Sequence, residues 1–142
     1  MAQLNPYLHL NGTCKDAMEF YKSCLGGELE FITVADSGMT DQWPENMPKP
    51  EPNKIMHSTL KANGWTLMAS DMMDPSSFTK GDNVDICLVC DSKEEIENLY
   101  KQLSTDGKVF MELAEQPFGW FAQFTDKFST EWMLQFDGRK NN

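Results

Sequence analysis

Asn5–Gly27, NPYLHLNGTCKDAMEFYKSCLGG, and Asn83–Gly107, NVDICLVCDSKEEIENLYKQLSTDG, follow one plan. Each opens with a short apolar strand, passes through a polar cap into a helix, and stops at glycine. Each helix carries an aromatic anchor, Phe20-Tyr21 in the first and Leu99-Tyr100 in the second. Several strand-like segments follow each helix. A unit this small cannot easily bury its sheet face alone, so two copies are expected to pack together. The plan is β-α-β-β-β twice, an α+β fold in a single domain, with modules at 1–75 and 80–138. The modules are expected to form a concave mixed sheet with helices on the outer face. A concave sheet is a natural seat for a small ligand.

Working outward, Pro6–Leu10 reads as the first strand. Thr13 is the predicted cap of the first helix, and Asp16 three residues on approximates a capping box. Ala17, Phe20, Tyr21 and Cys24 fall on one apolar face, and Gly26-Gly27 ends the helix. Glu28–Ala35 alternates as a strand. Asp36–Lys54 holds Pro44, Pro48, Pro50, Pro52 and Gly38, and no regular element fits it. It is a long loop, and lid, subunit contact and plain surface excursion all stay open. Ile55–Ala62 and Trp65–Ser70 read as a hairpin around Asn63-Gly64, the strongest short hairpin signal. Asp71–Asp82 is a linker. The second module runs from a strand at Val84–Cys90 into a helix capped by Ser92, with a full S-x-x-E box at Glu95. Ile96, Leu99, Tyr100 and Leu103 repeat the apolar stripe, and Asp106-Gly107 stops it. Strands follow at Val109–Glu115, Trp120–Thr125 and Glu131–Phe136, and the polar tail 137–142 is expected to fray.

The chain has 142 residues and a formal net charge of −10. That field repels phosphate backbones and anionic headgroups, which argues against nucleic acid or a membrane as partner. MAQLNPYLHL lacks a basic leader, and no run approaches the ~18 apolar residues of a span. A cytoplasmic protein is expected. Cys87 and Cys90 form a C-x-x-C inside a predicted strand, where odd spacing points the side chains to opposite faces. Buried structural thiols fit better than a redox or zinc pair.

Three segments carry a resemblance: PYLHLNGTCKDAMEFY at 6–21, HSTLKANGWTLMASD at 57–71, and FTDKFSTEWML at 124–134. In this order they resemble the vicinal oxygen chelate superfamily, the group of glyoxalase I, the bleomycin- and fosfomycin-resistance proteins and the extradiol dioxygenases. Within it the chain looks most like the PhnB-like branch, from Asn5 to Phe136. The resemblance implies a homodimer and a divalent metal held by His and Glu from four strands. Carried over one at a time, those ligand positions fall on Pro6 or Tyr7, on Leu67 or Met68, on Asp85, and on Met133. Only Asp85 offers a divalent ion a hard donor. The usual chelate is therefore not expected. A ubiquinone-pathway methyltransferase label attached to some PhnB-like proteins finds no strand–G-x-G–helix unit here to hold an adenosyl cofactor.

Candidate site residues come from strand parity. His57 lies on the strand Ile55–Ala62, and His9 lies on the first strand with Tyr7 on the same face. Together the histidines read as ligands, as an acid/base pair, or as half-buried strand residues. On the last strand Trp132, Leu134 and Phe136 share the face expected beneath a helix. Glu131, Met133 and Gln135 share the other, and Glu131 is a candidate general base or a solvated carboxylate. Asp71 sits among Met68, Met72 and Met73, a soft lining suited to varied ligands. Trp65, Trp120 and Phe121 are a candidate aromatic wall. The expected pocket is Tyr7, His9, His57, Met68, Asp71, Asp85, Trp120 and Met133, with His57 and Glu131 as catalytic candidates. The expected function is binding of a small, partly apolar molecule with no cofactor. One alternative is a divergent metal-dependent lyase, isomerase or dioxygenase using His57 and Asp85. The other is a non-catalytic structural or interaction protein with a vestigial pocket.

Overall fold

A computed structural model describes residues 1–138, so the tail beyond Gly138 lies outside the described residues. The first half is β1 (Tyr7–Leu10), α1 (Cys14–Leu25), β2 (Glu28–Thr33), β3 (Ile55–Ala62) and β4 (Trp65–Asp71). The second is β5 (Ile86–Val89), α2 (Lys93–Leu103), β6 (Lys108–Gln116), β7 (Gly119–Thr125) and β8 (Glu131–Phe136). Each half makes one mixed four-stranded sheet, in the order β1-β4-β3-β2 and β5-β8-β7-β6. The orders are identical, and in both the first strand pairs in parallel with the last. The repeat read from the sequence is thus a repeat of topology, and the α+β class stands. The chain divides into two compact units, Met1–Lys80 and a second beginning at Gly81.

One face of each sheet is closed by its helix. In the first unit α1 packs on β3 and β4, and Ser58, Leu60, Leu67 and Ala69 are buried on these strands. In the second unit α2 packs on β8, and Ala122, Phe124, Trp132 and Leu134 are buried. The buried stripe of α1 is Cys14, Ala17, Met18 and Tyr21. Phe20 and Cys24, predicted in the stripe, are only half-buried. Both sets satisfy the i, i+3, i+4, i+7 template, and contact with the sheet selects between them.

The helix starts differ from each other. Ser92 Oγ accepts from Glu95 N at 3.0 Å, as the S-x-x-E box predicts. Glu95 Oε1 accepts from Asp91 N at 3.0 Å, one residue before the cap. Thr13, by contrast, makes no side-chain capping bond. The first amide of α1 is held by Asp71, whose Oδ1 accepts from Cys14 N at 3.0 Å. Asp71 Oδ2 accepts from Ile55 N at 2.9 Å, so one carboxylate ties the helix start to β3. This residue was expected to open a linker, and it is the last residue of β4.

The long loop contains two 3-10 turns, Ala35–Ser37 and Thr40–Gln42, where no regular element was expected. Its ends are tied by Val34 N to Lys54 O at 2.8 Å and Ala35 N to Pro52 O at 3.0 Å. The Asn63-Gly64 hairpin forms as predicted, with Gly64 at φ +87°, where a side chain would be strained. Among the described residues no helix is long and apolar enough to cross a membrane.

Candidate functional site

Side chains paired across a ladder point to the same face, so register assigns the faces away from the helices. In the first unit Tyr7 pairs with Met68, Met68 with Thr59, and His9 with Ser70. Tyr7 and Met68 share the open face, whereas Leu67 is buried on the helix side. Tyr7 Oη lies 3.4 Å from His57 Nδ1, and His57 Nε2 lies 3.1 Å from Thr59 Oγ1. The Tyr7 ring centroid is 5.1 Å from that of His9 and 5.8 Å from that of His57. Tyr7, His9, His57 and Met68 therefore gather on one half-exposed surface. The phenol and imidazole are within reach of proton exchange, and Met68 supplies apolar area beside them.

In the second unit Lys108 pairs with Thr125, and Thr125 with Glu131, forming one row across the open face. The next row holds Met111, Gln123, Met133 and Cys87. Asp85 stands one residue before β5, and Gln123 Nε2 donates to its Oδ2 at 2.7 Å. A cavity of about 360 Å³ opens here, lined by Asp82, Asp85, Lys108, Phe110, Gln123, Thr125 and Glu131 among others. Asp85 and Glu131, both singled out from the sequence, thus meet in one cavity, and Met133 lies on the same face.

Lys108, Phe110 and Gln123 were not singled out. Gln123 was legible: it is the polar residue between Ala122 and Phe124 on an otherwise apolar strand. Phe110 was not, because β6 shifts register between Val109 and Met111 and again between Met111 and Ala114, and Lys108 stands one residue before the strand expected at Val109–Glu115. Bulges break the period-two pattern on which face assignment rests.

Two expected pocket residues lie elsewhere. Asp71 is 6% exposed and both its oxygens are engaged by backbone amides, so it braces α1. Trp120 shares the face of Ala122 and Phe124, beneath the helix, and the Lys93 ammonium sits 4.8 Å from its ring centroid. Phe121 is its chain neighbour and points to the opposite face, so the two cannot line one wall. Trp65 has the parity of the buried Leu67 and Ala69.

The donor set does not fit a chelated divalent ion. Its positions, Pro6 or Tyr7, Leu67 or Met68, Asp85 and Met133, give one carboxylate under either alternative, and Gln123 already hydrogen-bonds that carboxylate. Among the described residues no three His, Cys, Asp or Glu side chains gather to hold a metal. Nor does α1 offer its first amide to a cofactor anion, since Asp71 occupies it. Of the C-x-x-C thiols expected to be buried, Cys90 is buried and Cys87 is exposed on the sheet face away from α2. Burial pushes Cys14 up to about 11 and Cys90 up to about 12. Cys87 is raised by partial burial and then by the charge of Asp85. None of the four cysteines is in a disulfide.

The family described as 3-demethylubiquinone-9 3-methyltransferase matches residues 2–135. Protein YjdN of Escherichia coli K12 is 32% identical over 140 residues, covering 92% of each chain. Among solved structures, PA1353 of Pseudomonas aeruginosa is 35% identical with a TM-score of 0.83, covering 96% of this chain and 98% of that one. The PhnB protein of Bacillus cereus is 26% identical with a TM-score of 0.74, covering 95% and 99%. A glyoxalase/bleomycin resistance/dioxygenase family enzyme of Burkholderia phytofirmans is 12% identical, covers 94% and 95%, and has a TM-score of 0.56, a likeness of fold alone.

Proposed function

Because this chain belongs to the PhnB-like family described as 3-demethylubiquinone-9 3-methyltransferase, which shares the glyoxalase fold, we propose that it binds a small, partly apolar molecule on an open sheet face, without a resident metal. The observation that carries this reading is the cavity of about 360 Å³ in the second unit. It is large enough for a small organic molecule, and it combines an exposed phenyl ring with a positioned carboxylate, amide and ammonium. Methyl transfer is not part of the proposal, since the features that would hold an adenosyl cofactor are not those of this chain. The protein acts in the cytoplasm as a homodimer. Support for pairing comes from edge strand β5 and its approach, where Val84 and Val89 are 73% and 74% exposed.

The test is elemental analysis of protein purified without tags or chelators, followed by melting in Zn²⁺, Ni²⁺, Mn²⁺ or Fe²⁺ and in a panel of small organic molecules. Organic ligands are expected to raise the melting temperature through linkage, and the metals are not. Stoichiometric metal, or a rise specific to one metal, would overturn the metal-free reading in favour of a divergent metalloenzyme. No response to any organic molecule would leave a structural or interaction protein.

A further inference from the structure

The charges around the second unit's cavity are arranged with a direction. Lys108, Thr125 and Glu131 lie in one row on successive strands β6, β7 and β8. Ile86 pairs with Trp132, so Asp85 continues that row beside Glu131. Read across the sheet, the row is ammonium, hydroxyl, carboxylate, carboxylate. Strands lie roughly 4.8 Å apart, so Lys108 and Glu131 are about 10 Å apart at the backbone. Their long side chains span part of that distance. What remains suits a molecule whose opposite charges are a few bonds apart.

Two further observations show unused capacity at Asp85 and Lys108. Gln123 engages only Oδ2 of Asp85, which fixes the carboxylate and leaves Oδ1 to accept another donor. Among the described residues no carboxylate lies within ion-pair distance of Lys108. The ring of Phe110 is 79% exposed and lines the same cavity. The lining sets three carboxylates, Asp82, Asp85 and Glu131, against one ammonium, so it attracts a cationic group overall and offers an acidic group Lys108 as its partner.

We propose that this cavity takes a small organic zwitterion, its ammonium toward Asp85 and Glu131, its acidic group toward Lys108, and its apolar body against Phe110. The proposal rests on reading the cavity as the ligand seat and specifies the chemistry of that ligand.

The test uses four probes on one skeleton: phenylalanine, phenethylamine, hydrocinnamate and hydrocinnamyl alcohol. Each is titrated into the full chain while backbone amide shifts of β6, β7 and β8 are followed by NMR. Phenylalanine is expected to bind roughly tenfold more tightly than the amine or the acid, as one charge-assisted contact warrants. Lys108→Met is expected to reduce its affinity to that of the amine. Asp85→Asn keeps an oxygen for Gln123 and is expected to reduce it to that of the acid. If the alcohol binds as tightly as phenylalanine and neither substitution matters, the zwitterion falls and the ligand seat stands. If none of the probes shifts the amides of β6, β7 and β8, both fall.

Discussion

Replacing Asp71 by alanine separates a structural carboxylate from a ligand-binding one. In the native fold its two oxygens accept Cys14 N at 3.0 Å and Ile55 N at 2.9 Å, and the residue is 6% exposed. A hydrogen bond to a charged group contributes roughly 1.5–3 kcal/mol, and truncation strands two buried donors. The expected loss is therefore about 3–5 kcal/mol. For a chain of this length about 3 °C accompanies each kcal/mol, so the melting temperature should fall by about 10–15 °C. Asp71→Asn keeps an acceptor for one amide and turns an NH₂ toward the other, so about half that loss is expected. The assay is urea unfolding followed by circular dichroism, with an unchanged m-value confirming a common unfolded state. An alanine variant within about 1 kcal/mol of the parent would refute the bracing role and return Asp71 to the pocket.

Three further outcomes are expected. Ser92→Ala should cost about 1 kcal/mol by removing the acceptor for Glu95 N, whereas Thr13→Ala should change stability by less than about 0.5 kcal/mol; paired urea curves decide. Cys14 has its folded pKa raised from 9.0 to about 11, so its stabilising contribution is full below pH 9 and disappears as pH rises toward 11. Between pH 8 and 10 the parent should lose about 1 kcal/mol more than Cys14→Ala, and equal losses in the two proteins would contradict the burial argument. Asp126→Ala should cost about 3–5 kcal/mol, because its carboxylate accepts from Phe128 N at 2.8 Å, Thr130 N at 3.0 Å and Trp132 Nε1 at 2.8 Å. A melting temperature within 3 °C of the parent would contradict that estimate.

The legible parts of this protein are those governed by local pattern. The two helices, the Asn63-Gly64 turn and the Ser92 box lie within a few residues of sequence and appear where they were expected, although α1 buries Cys14 and Met18 in place of Phe20 and Cys24. Asp71 was misread because its partner Cys14 is 57 residues away, and no local pattern reports a carboxylate that caps a distant helix. Trp120 was misread for another reason. It adjoins Phe121, and two aromatic neighbours on a strand read as one patch although they point to opposite faces. Phe110 was hidden by the bulge between Val109 and Met111, and Lys108 lay just before the expected start of β6.

The segment FTDKFSTEWML explains why the family could be read and the ligand could not. Asp126 is 3% exposed and its carboxylate collects Phe128, Thr130 and the indole of Trp132. Asp126 N donates to Thr130 O at 2.8 Å, and Ser129 takes φ 72°, which closes the turn between β7 and β8. These residues are distinctive because a tight turn with a buried carboxylate tolerates few substitutes. They hold β7 and β8 in the register that sets Thr125 beside Glu131 and Gln123 beside Met133. The resemblance therefore travels with residues that build the frame of the cavity. Of the groups facing into it, Thr125 and Glu131 belong to that segment, whereas Lys108, Phe110, Gln123 and Asp85 lie outside it. A chain can keep this frame and change its ligand, which is why the chemistry has to be read from the cavity itself.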